Sequence, residues 1–416
     1  MMTIRRAVTR TVVGTTLLLG VTACSDEFLK VTNPNVIDAS TVDPTSGATT
    51  LAASAQQNFA VALGWLSLYS GWFTNEVNVS DTFPTRNEFG FRTISDLNGS
   101  LQTDVWAPIS LAAASAKQVL DLTLPTPTTN INLARAATYR GFAILMMATD
   151  FCSGTLSSGP ELTTAQLLDT ASFWFTAGVD IGRANGSADA VAMANAALVG
   201  RARAKLQKGD NAGAATDAAA VPAGFSIDMR YVDDPNSRTR SANRLFQFTF
   251  DRTAISVAPP FRTTDSRIQF RGPGVTTLTP FDAVPGGLFE QRKFGAYATP
   301  IRLASKLEAD YIAAEATANV TQQLALINTR RAAGGVSAYA GATDAASVKT
   351  ELFNQRAFDF YLEGKRLADF RRSPASTQYV TVTGQPYFKP GYPGTGSQTC
   401  YPIPRAERDN NPNFTR

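Results

Sequence analysis

Residues 191–221 constrain the fold more than any other stretch. Two Ala-rich segments, Val191 to Leu206 and Ala212 to Val221, are joined by Lys208-Gly209-Asp210-Asn211. Glycine supplies the left-handed residue that ends one helix, and Asp or Asn caps the start of the next. Small side chains on the facing positions let the two helices approach closely. Such a pair leaves an apolar face uncovered, so further helices must stack on it.

Other segments offer those helices. Leu51, Ala55, Phe59, Leu63 and Leu66 recur at helical spacing within 47–69, as do Trp106, Ile109, Ala113 and Val119 within 104–122. Leu133, Ala137, Ile144, Leu145 and Ala148 mark a helix over 131–151, with Asn130 or Asn132 as its cap. Leu303, Leu307, Tyr311 and Ala314 predict a helix over 301–317, and 324–333 its partner, stopped by Gly334-Gly335. Near the C-terminus Phe353, Ala357, Phe360, Gly364 and Leu367 form one stripe of a single long helix running to Arg372 and closed by Pro374. Its charges are expected off that stripe, Glu363 paired with Arg366 and Lys365 with Asp369. Between 222 and 300 the composition turns to Pro, Gly, Thr, Arg and Phe, which predicts an irregular insertion with a few short strands such as Leu245–Phe250. The pairing has a period near that of tetratricopeptide repeats without clean self-similarity at about 34 residues. The fold class is therefore mainly α: degenerate helical repeats carrying long irregular loops.

Histidine is absent from all 416 residues. That removes Ser-His-Asp and Cys-His catalysis and imidazole metal sites, and leaves carboxylate pairs, a Ser-Lys pair or a cofactor as routes to an enzyme. No segment carries a recognisable catalytic motif. Arg5, Arg6 and Arg10 precede an apolar run, Thr11 to Val21, that is shorter than the roughly 20 residues a membrane span needs. It reads as an export signal of residues 1–23. Val21-Thr22-Ala23-Cys24 then has the form of a lipoprotein cleavage site, with Cys24 lipidated; ordinary cleavage after Ala23 is the alternative. Removing the three arginines from the 38 basic residues leaves 35 against 34 acidic ones, a balance that gives no footprint for nucleic acid.

Residues 64–92 hold the densest mixture of aromatic and planar polar side chains. Trp65, Trp72, Phe73, Asn75, Glu76, Asp81, Phe83 and Arg86 are the candidate ligand-binding residues, because ring faces beside hydrogen-bonding groups suit a sugar or a peptide. The competing account makes the same aromatics helix-end packing and the same polar residues turn caps. Phe261, Arg262, Phe270, Arg271 and Phe294 offer a second lining in the insertion, again against loop packing. Cys152 and Cys400, the other thiols, either pair with each other or lie buried and free.

Several blocks carry a resemblance. Gln355-Arg356-x-x-Asp359-Phe360-x-x-Glu363-Gly364-x-Arg366-x-x-Asp369-Phe370-Arg371-Arg372 resembles the C-terminal signature of the SusD/RagB family of outer-membrane nutrient-uptake lipoproteins, with Gln355, Asp359 and Phe370 departing from its usual residues. Asn33-Pro34-Asn35, the block from Ala134 to Leu145, Asp265-Ser266-Arg267, the blocks from Glu308 and from Leu326, and Tyr401-Pro402-Ile403-Pro404 to Asn413 resemble further elements of that family, in family order. The resemblance implies a tetratricopeptide-like superhelix occupying 24–416 as one domain. It further implies lipid anchoring on the cell surface of the outer membrane, capture of oligosaccharide or peptide, and seating on a TonB-dependent (SusC-like) transporter. No cofactor, metal or catalytic residue is implied. Two rivals stand beside it: a carboxylate-based glycoside hydrolase, and a repeat scaffold that grips another protein.

Overall fold

The computed structural model describes residues 43–414; Cys24, the export signal and the Asn33-Pro34-Asn35 block lie outside them. The chain opens with α1 (Pro44–Phe73), a short strand β1 (Val77–Val79) and α2 (Pro84–Gly90). A π-helical turn, Leu101–Trp106, runs into α3 (Ala107–Leu120), followed by α4 (Ile131–Asp150), the hairpin of β2 (Ser153–Gly154) with β3 (Leu162–Thr163), and α5 (Thr164–Asn185). Next come α6 (Ala188–Lys208) and α7 (Asn211–Ala219), the Ala-rich pair. The insertion holds β4 (Ser226–Met229), α8 (Arg238–Ser241), α9 (Arg244–Phe250), β5 (Ile255–Val257), β6 (Phe270–Arg271) and β7 (Glu290–Gln291). After β8 (Ile301–Ser305) the helices resume as α10 (Lys306–Thr317), α11 (Val320–Ala333), α12 (Ala345–Asp359), α13 (Arg366–Arg372) and α14 (Arg405–Asn410).

Successive helices pack on one another: α1 on α3, α3 on α4, α4 on α5, α5 on α6, α6 on α7, and α7 on α10. This is the mainly helical, pairwise-stacked array that the periodicity predicts. Gly209 takes the left-handed conformation at φ 83°, and the Asp210 side chain accepts a hydrogen bond from the Gly213 N–H, as the joint between the Ala-rich helices requires. Asn130 caps α4 by accepting from the Asn132 N–H. From Asn132 to Asp150 every residue of α4 except Arg135 is buried, so this helix is the centre of the array and not a half-exposed member.

Three expectations of secondary structure fail. Residues 245–250 are helical, because the Asn243 side chain accepts from the Leu245 and Phe246 N–H groups and starts a helix whose Phe246 and Phe250 rings stack at 4.5 Å. Ile301–Ser305 is a strand paired with β4, and its helix begins only at Lys306, where Ser305 caps it. The expected single helix ending at Arg372 is broken over 360–365, where Leu362 and Gly364 have φ of 56° and 68°.

That break docks on the end of α1. The Leu362 N–H donates to Glu76 Oε1 at 2.9 Å, and the Tyr361 hydroxyl donates to the Glu76 carbonyl. The charges around it are buried, and the expected pairs Glu363–Arg366 and Lys365–Asp369 give way to other partners, most of them on distant elements. Glu363 is held by Lys293, Arg302 and Lys365, Glu308 by Arg203, Asp359 by Arg267 and Arg330, and Asp369 by Arg356 and Arg372. Burial alone would raise the Glu363 carboxyl, but Lys293, Lys365 and Arg302 bring it well below the usual carboxylate range. Asp265-Ser266-Arg267 joins the same network, since Arg267 bonds Asp265, Asp359 and Gln355.

Candidate functional site

The loop after α1 and the N-terminal half of α2 form one wall of an open cleft of about 440 Å³; the other wall comes from α9, its trailing turn and Phe281. Asp81 prepares the first wall. One of its carboxylate oxygens accepts from the Phe83 N–H at 3.0 Å, which fixes the turn into α2, and the other pairs with Arg86. The Asp81 carbonyl accepts from Lys389 Nζ and Asn87 Nδ2. Pro84 opens α2 at a position where its missing N–H has no cost. With the loop held, the Phe83 ring projects outward and is 50% exposed; Arg86 lies over its other face at 4.5 Å from the centroid.

On the opposite wall Gln247, Asp251, Arg252 and Thr253 follow one another around the end of α9, and Phe281 is 59% exposed. Asp251 accepts from the Tyr297 hydroxyl at 2.6 Å, and Gln247 accepts from Arg244 at 2.6 Å. Arg252 covers Phe248 at 5.5 Å and makes no hydrogen bond through its side chain among the described residues. Two exposed rings thus share a cleft with an amide, a carboxylate and a guanidinium. Large apolar side chains left in water at the rim of a polar groove mark a binding surface. Of the two carboxylates in the cleft, Asp81 is engaged by its own turn and by Arg86, and Asp251 by Tyr297.

A second, smaller cleft of about 270 Å³ lies against β1. Asn75, left-handed at φ 59°, and Asn78 line it together with Pro259, Pro386, Tyr387 and Phe388. Trp72 also borders it but is 1% exposed, and its indole N–H has no acceptor among the described residues.

The candidate residues therefore separate into groups. Asp81, Phe83 and Arg86 meet in the larger cleft, and Trp72 and Asn75 border the smaller one. Phe73 packs edge-on to Tyr401 at 5.3 Å in the core, and Glu76 is buried under the break after α12; neither presents a surface to a ligand. Trp65 is half-buried beneath Arg244, 4.5 Å from its guanidinium, and edge-on to Phe248. Of the insertion residues, Phe261 and Phe294 are core, and Arg262 lies on Phe289 at 3.6 Å. Sequence reasoning missed Gln247, Asp251, Arg252, Thr253 and Phe281. The turn after the Phe-rich run 246–250 is the only local signal for them. Cys152 and Cys400 form a disulfide, with Cα atoms 5.1 Å apart. Among the described residues no cluster of His, Cys, Asp or Glu is arranged to hold a metal ion.

No family model and no curated protein matches the sequence. Solved structures do match. A SusD superfamily protein from Bacteroides vulgatus is 14% identical, with 90% of this chain and 98% of that one covered at a TM-score of 0.62. A laminarin-binding SusD-like protein is 13% identical over 89% and 98% at 0.66, and surface glycan-binding protein A from Bacteroides uniformis is 13% identical over 89% and 98% at 0.63.

Proposed function

We propose that this chain, which has the SusD/RagB fold, is a surface lipoprotein that captures oligosaccharide in the cleft between Phe83 and Phe281 and passes it unaltered to a TonB-dependent transporter. The observation that carries the reading is the pair of exposed rings facing one polar groove. A sugar presents an apolar CH face that packs on a ring, while its hydroxyls need planar donors and acceptors such as Gln247, Asp251 and Arg252. Two of the structurally similar proteins are described as laminarin-binding and glycan-binding, which supports a glycan over a peptide. The Cys24 site supports the lipid anchor, by which acyl chains would hold the protein at the outer membrane.

Titration calorimetry of the purified chain against a panel of β-glucans and other oligosaccharides tests the reading. Phe83→Ala and Phe281→Ala should each weaken binding about tenfold, the effect of one lost stacking platform. Release of reducing ends from the same glycans would replace the capture reading with that of a glycoside hydrolase. Mass spectrometry of the N-terminal peptide from the native host tests acylation at Cys24, and an unmodified thiol there would remove the anchor.

A further inference from the structure

Away from that cleft, α4 carries a cation that the fold leaves without a counter-ion. Arg140 is 5% exposed and has no ion-pair partner among the described residues. One terminal nitrogen donates to the Ala113 carbonyl at 2.6 Å, while its Nε is buried with no acceptor. Its guanidinium covers the Trp174 ring at 5.2 Å. Burial disfavours its charge; Asp121 opposes this only from a distance, being bound by Lys117 at 2.5 Å. A guanidinium held out of water is disfavoured unless an anion reaches it.

Arg140 lines a cavity of about 280 Å³ with Ser110, Ala114, Ser157, Ser158 and Glu407. The Ser110 hydroxyl is also buried without a partner. Ser157 and Ser158 are consecutive left-handed residues at φ 53° and 56°, a strained pair kept in place by Asn411 and Asn413, which donate to the Gly159 and Ser158 carbonyls. The Cys152–Cys400 bond ties that loop to the segment bearing Glu407. Glu407 already accepts from Trp106, Thr155 and Asn411, which leaves one lone-pair site of its carboxylate for a ligand hydroxyl. Phe173 is 64% exposed and edge-on to Trp174 at 5.0 Å.

We propose that this cavity is a second ligand site, which takes one carboxylate-bearing sugar residue, a hexuronate, with its carboxylate on Arg140 and a hydroxyl on Glu407. Planar carboxylate matches the fork of a guanidinium. The volume holds a single ring and not a chain, so the ligand is a terminal or branching residue. The site does not depend on the Phe83 cleft, with which it shares no residue.

The test is calorimetry and Trp174 fluorescence of the full chain titrated with glucuronate, glucose and glucose 6-sulfate. Glucuronate should bind with a dissociation constant of about 1 mM and glucose at least about tenfold more weakly. Arg140→Gln should remove the difference. Because Arg140 is buried and its loss can impair folding, Ala114→Gln, which fills the cavity from a half-exposed position, provides the second arm. It should abolish glucuronate binding and leave oligosaccharide binding at Phe83 unchanged. Equal affinity for glucuronate and glucose, or undiminished glucuronate binding in Ala114→Gln, would overturn the proposal. A sulfate ester that binds as tightly as glucuronate would overturn the carboxylate assignment.

Discussion

Arg356 donates from its Nε to the Asp369 carboxylate at 2.8 Å across the break between α12 and α13, and both side chains are buried. Asp369 also accepts from Arg372, and Arg356 stands 3.7 Å from Glu308 on α10. The pair therefore fixes the angle at which the chain reverses over the end of α1.

Arg356→Ala should destabilise the protein by about 2–4 kcal/mol, because it takes one of two cations from the buried Asp369, whereas the double variant Arg356→Met with Asp369→Leu should lose less than the single one. Urea denaturation of the three proteins measures this. A loss below about 1 kcal/mol for Arg356→Ala would show that water reaches the pair and that it does not hold the break.

What the sequence reveals of this fold depends on the range of the interactions. The Ala-rich pair, the caps at Asn130 and Asp210, and the inward faces of α3 and α4 follow from neighbours three or four residues apart. α5 is equally local, with Thr163 and Gln166 forming a capping box and Gly186 ending it, yet it goes unread because its apolar positions are diluted by Thr and Ser. The break at 360–365 is not legible: the spacing of Phe353, Ala357, Phe360, Gly364 and Leu367 continues through it, and only the burial of Glu363, Lys365 and Arg366 against distant partners turns the chain. The cleft shows the same limit. Asp81, Phe83 and Arg86 are local to one turn, while Gln247 and Phe281 reach them only through the fold.

Phe175 on α5 wedges between Gly141 on α4 and Gly200 on α6. A Cβ on Gly200 would lie 2.3 Å from the ring, and one on Gly141 2.7 Å from it. Gly200→Ala should therefore destabilise the array by about 1–3 kcal/mol, although alanine is the better helix former. The companion Gly200→Ala with Phe175→Leu should recover part of that loss. Thermal melting of the two variants decides, and a stabilised Gly200→Ala would mean that the ring yields.

The disulfide closes a loop whose ends are 248 residues apart, between the end of α4 and the segment before α14. In the chain-entropy account a closure this long contributes about 5 kcal/mol through the unfolded state. Reductant should lower the melting temperature of the wild-type protein and leave Cys152→Ser with Cys400→Ser unmoved. Equal melting with and without reductant in the wild type would show that the bond does not constrain the unfolded chain.

Glu76 and Asp150 give stability a pH dependence of unusual sign. Burial pushes both carboxyls up to about 7, from ordinary values of 4.5 and 3.8. Arg366 and the Leu362 N–H offset this only in part at Glu76, and Thr149 and Arg371 only in part at Asp150. A carboxyl raised in the folded state keeps its proton while the unfolded chain has already lost it. Its contribution is complete below the unfolded value and disappears as pH rises through about 7. Glu363 and Glu308 act in the opposite direction, but their pKa values are lowered, so their stabilisation is lost only in more acidic solution. Between pH 5 and 8 the two raised groups should dominate and reduce stability by about 1–3 kcal/mol each, since a tenfold change in an ionisation constant corresponds to about 1.4 kcal/mol. Denaturation at both pH values, on the wild type and on Glu76→Gln with Asp150→Asn, measures this. The wild type should be weaker at pH 8 and the double variant level. Parallel behaviour of the two proteins would mean that both carboxylates stay charged in the fold, with Arg366 and Arg371 as sufficient counter-ions.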